Sequence, residues 1–461
     1  MAKYVVTGGF PLRGQVQIFG AKNAGFKAMI AALLCDSPSK INNLSRVGDI
    51  ETTREVITFL GGKVFFLDDH TAKVDPAGLK RYQAPMDCGA KSRAGMMFAG
   101  PLLSRFGKAV LPRPGGDKIG VRPVDRHLAG LAALGVKIAV RDGLFVLSAP
   151  KGLHGSRFRF PKNSHTGTET LIMAAVKALG RTVLENAAAE PEVDNLIAFL
   201  NRAGARIKRV RPRTIVIEGV SRMRGITHLV MADRNAAVTF ACAALATRGE
   251  VLVKGADAKV LQAFLKKVRE AGGATEIQED GINFYREKPL KATGIVTAPY
   301  PGFMTDWQTL WTVLMTQAQG QSTVWETVFE NRFGYAPILA DMGAKITLFN
   351  PKIRDPEEVY NFDLADDSPD FWHGAKISGP TKLFGRTVTV NDVRTGAMML
   401  LAGLISQGET TVLDTKNQIS RGYVNLASDL ASLGAKIKVT KEAESSVIFK
   451  TAQVKALETQ N

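Results

Sequence analysis

The chain has 461 residues, 45% of them hydrophobic and 22% charged, which is the balance of a folded globular protein. At about 100–200 residues per domain it has room for two to four domains. Its net charge of +17 favours anionic partners. No zinc-finger, RRM or basic-heptad pattern accompanies that charge, so a nucleic-acid partner is not expected. The apolar runs at 28–34 and 396–405 fall well short of the ~20 residues of a membrane helix, so no membrane insertion is expected. The N-terminal MAKYVVTGGF has no apolar signal region. Cys35, Cys88 and Cys242 are too few and too scattered for a disulfide framework, and the histidines lack metal-ligand spacing. The expectation is a reducing, cytoplasmic setting with no built-in metal site.

Along the chain one phrase recurs: a short amphipathic helix, a turn with glycine, then a strand. It appears as FLGGKV (59–64), ALGVKI (133–138), RAGARI (202–207), EAGGATEI (270–277), DMGAKI (341–346) and SLGAKI (432–437). Glycine accepts the left-handed conformation that ends a helix, and the β-branched residue beyond it starts a strand. Four of the five intervals between these glycines lie between 68 and 74 residues; the fifth is 91. Six units of about 70 residues predict an α/β fold of two domains with three units each. The long interval holds an acidic, proline-containing insertion at 350–380, which reads as a surface excursion, either a solvated loop or a functional segment, a lid or partner-binding element.

Short polar segments interrupt this frame. GAKNA (20–24) holds Lys22 and Asn23 between small residues that let a ligand approach the backbone. The stretch 111–125 is a Gly- and Pro-rich loop with Asp117, Arg122 and Asp125, the form of a closing lid that carries an acid or base. PYPGFMTDWQ (299–308) sets Asp306 in a polar turn. Arginines stand in SRAGMM (Arg93), ENRFGY (Arg332), NDVRTG (Arg394) and ISRGY (Arg421), and a guanidinium binds carboxylate or phosphate in a bidentate way. Walker, dinucleotide-binding and nucleophile-elbow motifs are absent from the sequence.

Taken in this order, with ENAAAEPEV (185–193), IVIEGV (215–220) and ETVFENRF (326–333), these segments closely resemble the enolpyruvyltransferase family, and within it the members that act on UDP-N-acetylglucosamine. The resemblance runs from about residue 5 to residue 440. It implies two inside-out α/β barrels of three βαβ-containing units each, with crossings near residues 22 and 233. Residues 23–232 would then form one domain, carrying the closing loop 111–125, inserted into a second domain made of 1–22 plus 233–461. It also implies transfer of the enolpyruvyl group of phosphoenolpyruvate to the 3′-hydroxyl of the sugar, with release of phosphate and with no metal or organic cofactor, as the first committed step of peptidoglycan synthesis. Carried over motif by motif, Lys22, Arg93, Arg122, Arg332, Arg394 and Arg421 would grip phosphoenolpyruvate. Asp306 would be the base and Asp117 the acid, with Lys22 and Arg421 assisting. Asn23, Arg122, Pro123, Val124, Asp125, Lys162, Ser164, Thr166, Asp306 and Val328 would hold the UDP-sugar. Most members carry cysteine where this chain has Asp117, and that thiolate is the target of fosfomycin, so insensitivity is expected. The family's His and Asp before Arg-Gly-Tyr are replaced by Gln418 and Ser420. These departures leave open a diverged or non-catalytic paralogue that binds UDP-sugar, or transfer to another hydroxyl acceptor.

Overall fold

In a computed structural model the described residues are 2–441, except Ser92, 116–119 and Arg122, and without the side chains of 90, 91, 93 and 441. The recurrent phrase is realised six times. Helices Gly48–Leu60, Asp125–Ala133, Pro191–Arg202, Gln262–Glu270, Ala336–Asp341 and Leu426–Ser432 each run into a strand three or four residues later. The glycines between them, at 61, 135, 204, 272, 343 and 434, all have φ between 80° and 113°, a region that side-chain-bearing residues avoid.

Each unit contributes one sheet of three or four strands. The strand beyond each of these glycines is at the sheet edge, as in the antiparallel register Ile207↔Ile217. A parallel neighbour completes most sheets, as in Val183↔Arg157. The layering follows from a second set of helices that are buried nearly all round, with Thr, Gln and Glu side chains among their apolar ones. Lys22–Ala31, Ala99–Phe106 and His165–Ala175 bury most of their residues in one core. Arg234–Ala246, Thr305–Met315 and Val393–Ile405 pack on one another in a second core. The sheets lie outside these helices, with one face of each turned to solvent, so the barrels are helix-filled.

The first core draws its buried apolar residues from 21–230 and the second from 2–18 and 237–435. Where the chain passes between them, its two crossings run side by side: Gly20 pairs antiparallel with Ala232. Ala21 N donates to the Met231 carbonyl at 2.7 Å, and Asp233 N to the Phe19 carbonyl at 2.8 Å.

The insertion is only partly a surface excursion. Glu357 and Glu358 are exposed, but Tyr360 and Phe362 are buried, stack on each other and pack at a tilt against His373. From that anchor, residues 361–366 reach the cleft between the cores. Asn361 Nδ2 donates to the Asn163 carbonyl at 3.1 Å, and Arg126 Nη2 to the Asn361 carbonyl at 3.3 Å. The segment is a strap across the two halves, which the sequence could suggest only as one of two alternatives. Among the described residues no helix is long and apolar enough to cross a membrane.

Candidate active site

A cleft opens between the cores, lined on one side by Lys22, Asn23, Lys27, Asp49, Pro123, Ser164, His165 and Thr166, and on the other by Asp306, Val328, Glu330, Asn361 and Arg421, among others. Lys22 and Asn23 open the helix Lys22–Ala31 directly after the crossing strand, so their position is fixed by the paired crossings. Asp306 lies in the first turn of the buried helix Thr305–Met315, where the helix dipole favours a carboxylate. Thr305 Oγ1 donates to Glu326 Oε2 at 2.8 Å, and Glu326 Oε1 accepts from Val328 N and Phe329 N at 2.8 and 3.0 Å. One buried carboxylate thus sets both Asp306's helix and the Val328 turn.

Two charge clusters lie at this end of the cleft. Lys22 Nζ is 2.8 Å from Asp49 Oδ2, and Arg421 Nε is 3.2 Å from Asp49 Oδ1. Arg421 Nη1 also donates to Gln418 Oε1 at 2.9 Å, so the substituted glutamine helps hold the guanidinium. The two segments meet at Gly48, where a Cβ would come within 3.1 Å of Arg421 Cγ. In the second cluster Arg394 Nε lies 2.9 Å and Arg332 Nη2 3.7 Å from Asp306 Oδ1, and Arg394 Nη1 donates to the Tyr423 hydroxyl at 3.0 Å. Burial would raise both carboxyls, but the neighbouring cations win. Arg394, Arg332 and Lys22 hold Asp306 far below the usual range, and Lys22 and Arg421 lower Asp49. A trianion entering here would compete with Asp49 and Asp306 for cations already in place.

Of the residues expected from sequence, Lys22, Asn23, Pro123, Ser164, Thr166, Asp306, Val328 and Arg421 line one cleft, with Arg332 and Arg394 buried behind Asp306. Val124 packs against the first core and Asp125 begins the helix Asp125–Ala133; neither lines the cleft. Lys162 is turned elsewhere: its ammonium lies 3.2 Å from Glu357 Oε2 and 3.1 Å from the Tyr360 carbonyl, clasping the strap. Asp117, Arg122 and the side chain of Arg93 lie outside the described residues. The described shoulder of the loop reaches across the cleft, where Val121 N donates to the Glu330 carboxylate. Sequence reasoning missed Asp49, Lys27, His165 and Glu330. Asp49 stands in no segment of distinctive composition, and nothing local announces a partner 372 residues away.

The fold and this cation-lined cleft define an enolpyruvyl-transferring enzyme, and the comparisons agree. The family model of EPSP synthase (3-phosphoshikimate 1-carboxyvinyltransferase) matches residues 6–430, and the chain belongs to that family. Within it, the chain is 42% identical to UDP-N-acetylglucosamine 1-carboxyvinyltransferase 3 of Caldanaerobacter subterraneus subsp. tengcongensis over 95% of this chain and 99% of that protein. It is 38% identical to UDP-N-acetylglucosamine 1-carboxyvinyltransferase of Halorhodospira halophila, again over 95% and 99%. In fold it is similar to the enolpyruvyl transferase NikO from Streptomyces tendae (TM-score 0.82, 23% identity, covering 96% of this chain and 99% of that one). It is also similar to EPSP synthase from Acinetobacter baumannii (TM-score 0.71, 15% identity, covering 96% and 100%).

Proposed function

We propose that this protein transfers the enolpyruvyl group of phosphoenolpyruvate to the 3′-hydroxyl of UDP-N-acetylglucosamine and releases phosphate, the first committed step of peptidoglycan synthesis, in the cytoplasm. The observation that carries the reading is the convergence of Lys22 from one half and Arg421, Arg332 and Arg394 from the other around Asp49 and Asp306. Relatives of 38–42% identity along nearly the whole chain favour this acceptor over another hydroxyl. The division into residues 23–232 and 1–22 plus 233–461 is part of the same reading, supported by the two cores and the paired crossings.

The chemistry follows from charge. Phosphoenolpyruvate brings up to three negative charges, and fixed cations in a water-poor cleft stabilise them better than solvent does. Lys22, Arg332, Arg394 and Arg421, with Arg93 and Arg122, bind its phosphate and carboxylate. As the ligand draws Arg394 and Arg332 to itself, Asp306 loses the partners that hold its proton affinity down. Its buried carboxylate then becomes basic enough to take the acceptor's hydroxyl proton. The oxygen adds to C2 of phosphoenolpyruvate while Asp117 protonates the methylene carbon. Loss of a proton from that carbon and of phosphate from the tetrahedral adduct completes the transfer. Asn23, Pro123, Ser164, Thr166 and Val328 hold the sugar nucleotide, with Val124, Asp125 and Lys162 in the same segments.

The test is phosphate release from phosphoenolpyruvate and UDP-N-acetylglucosamine. Wild type should turn over, and Asp306→Ala should lose roughly 10²–10⁴-fold in kcat, the range of a general base. Release without the sugar nucleotide, or an unaffected Asp306→Ala, would refute the reading.

A further inference from the structure

The cleft accounts for only part of the chain's net charge of +17. Residues 201–232 hold eight arginines and lysines against one carboxylate, Glu218, and strand geometry brings several of them onto one face. In the sheet of Arg157–Arg159, Arg181–Glu185, Thr214–Glu218 and Arg206–Arg211, alternate residues point to opposite sides. Leu184, Ile207, Ile215 and Ile217 go to the first core. Their neighbours form three rows on the solvent side, read directly from the register. Arg206 stands beside Glu218 and Arg181, and Lys208 beside Val216, Val183 and Arg157. Arg211, past a bulge, stands beside Thr214, Glu185 and Arg159. All six cations are exposed.

The two carboxylates on this face already have partners. Arg157 Nη1 is 3.1 Å from Glu185 Oε1, and Arg181 Nε is 3.3 Å from Glu218 Oε1. Among the described residues Arg159, Arg206, Lys208 and Arg211 make no ion pair, so their charge is what the face shows to its surroundings. Four strands at a spacing of about 4.8 Å span about 15 Å. That is under two Debye lengths of about 8 Å, so the fields of the four cations add. Not every outer sheet face is of this kind. On the sheet that contains Arg13–Gln17 and Glu250–Lys254, Arg13 and Lys254 are matched by Glu250 and Glu276.

We infer that this sheet face docks on a bilayer that carries anionic lipid headgroups, lying on its surface without inserting. The assignment goes beyond the transfer reaction and does not depend on it. What the face offers is cationic charge spread over a platform, most of it guanidinium, which pairs with phosphate through two hydrogen bonds. No aromatic side chain stands in the three rows to stack a nucleobase, and four strands are too broad for a DNA groove of about 12 Å. A specific protein partner is held by an apolar centre with aromatic anchors; the centre here is Val216, which is buried, and Val183, which is half-buried. A fluid lipid surface needs neither, because its headgroups move to the cations. Attraction of this kind is reversible and fades within a Debye length of the membrane.

Sedimentation of the full chain with vesicles tests the assignment, and its readout involves no turnover. The protein should pellet with vesicles of mixed phosphatidylglycerol and phosphatidylcholine, stay in solution with phosphatidylcholine alone, and be released as ionic strength rises. Arg159→Ser/Arg206→Ser/Lys208→Ser should weaken vesicle binding roughly a hundredfold, about fivefold for each cation near the surface, with the melting temperature and the transfer kinetics unchanged. The control is Lys3→Ser/Lys436→Ser/Lys438→Ser, which removes the same charge from exposed positions on a sheet of the other half. It should bind vesicles as wild type does. Equal losses in the two triple variants would mean attraction to net charge alone and would overturn the inference, as would wild type that ignores phosphatidylglycerol. DNA that binds more tightly than the vesicles, through the same three cations, would overturn it in favour of a nucleic acid.

Discussion

The unusual residue in this cleft is Asp306, the proposed base, whose carboxyl is held far below the ordinary range by Arg394 and Arg332, against the upward push of its own burial. Removing the nearest cation should therefore raise it. In Arg394→Met the acidic limb of the pH profile of kcat/KM should move up by about one unit or more, because the proton then leaves a buried carboxyl with less help; an unmoved limb would show that another group titrates. A second expectation concerns thiols. Cys35, Cys88 and Cys242 are all buried and none lines the cleft; burial pushes Cys35 up to about 11 and raises Cys242 further. With aspartate at position 117 no thiolate is available to open an epoxide. Intact-mass measurement should find no fosfomycin adduct on this chain and a single adduct on Asp117→Cys. Lys22, Asn23, Asp306 and Arg421 were legible because each sits in a short segment of unusual composition. Asp49, Lys27 and His165 were not, because their meaning lies in partners 138 to 372 residues away.

At the scale of elements, the six helix–glycine–strand units were readable because both determinants are local: a left-handed glycine and a change of hydrophobic period. The strap was not, since Asp- and Pro-rich composition describes a solvated loop and a cleft wall equally well. What separates them is tertiary: Tyr360 and Phe362 anchored against His373, and Asn361 and Glu357 held by Asn163 and Lys162 of the opposite half. If the strap walls the acceptor end, loosening it should act on one substrate only. Lys162→Met/Asn361→Ala removes the cross-cleft bonds of the Lys162 and Asn361 side chains, each worth about 1 kcal/mol, and leaves the one from Arg126 to the Asn361 carbonyl. The KM for UDP-N-acetylglucosamine should rise roughly tenfold, with the KM for phosphoenolpyruvate and the melting temperature nearly unchanged. Steady-state kinetics with each substrate varied in turn decides this, and equal effects on both KM values would return the strap to a merely structural part.

At the scale of the whole molecule, two cores meet at crossings whose few backbone bonds are too weak to make the halves one unit. A buried ion pair stands beside them. Arg234, which opens a helix of the second core, donates from Nε to Glu192 Oε1 at 2.9 Å and from Nη2 to Oε2 at 2.8 Å, and Glu192 belongs to a helix of the first. Both side chains are at most 1% exposed. Burial would raise Glu192, yet Arg234 first, with His165 and Lys27, brings its carboxyl down to about 2 from an ordinary 4.5. A carboxyl lower in the folded than in the unfolded chain contributes its stability in full above the unfolded value and loses it as pH falls toward the folded one. Its share, about 3 kcal/mol by linkage, should therefore vanish between about pH 4.5 and about 2. At neutral pH, Glu192→Gln leaves a guanidinium buried without its counter-charge and should cost about 3–5 kcal/mol in urea unfolding. Its stability should also fall less steeply with acid than that of wild type. Glu192→Leu/Arg234→Met, which removes both charges, should be near neutral in stability. If the single and double variants unfold alike, the pair does not couple the halves, and the cleft between them is held by the strap and the Glu330 contact instead.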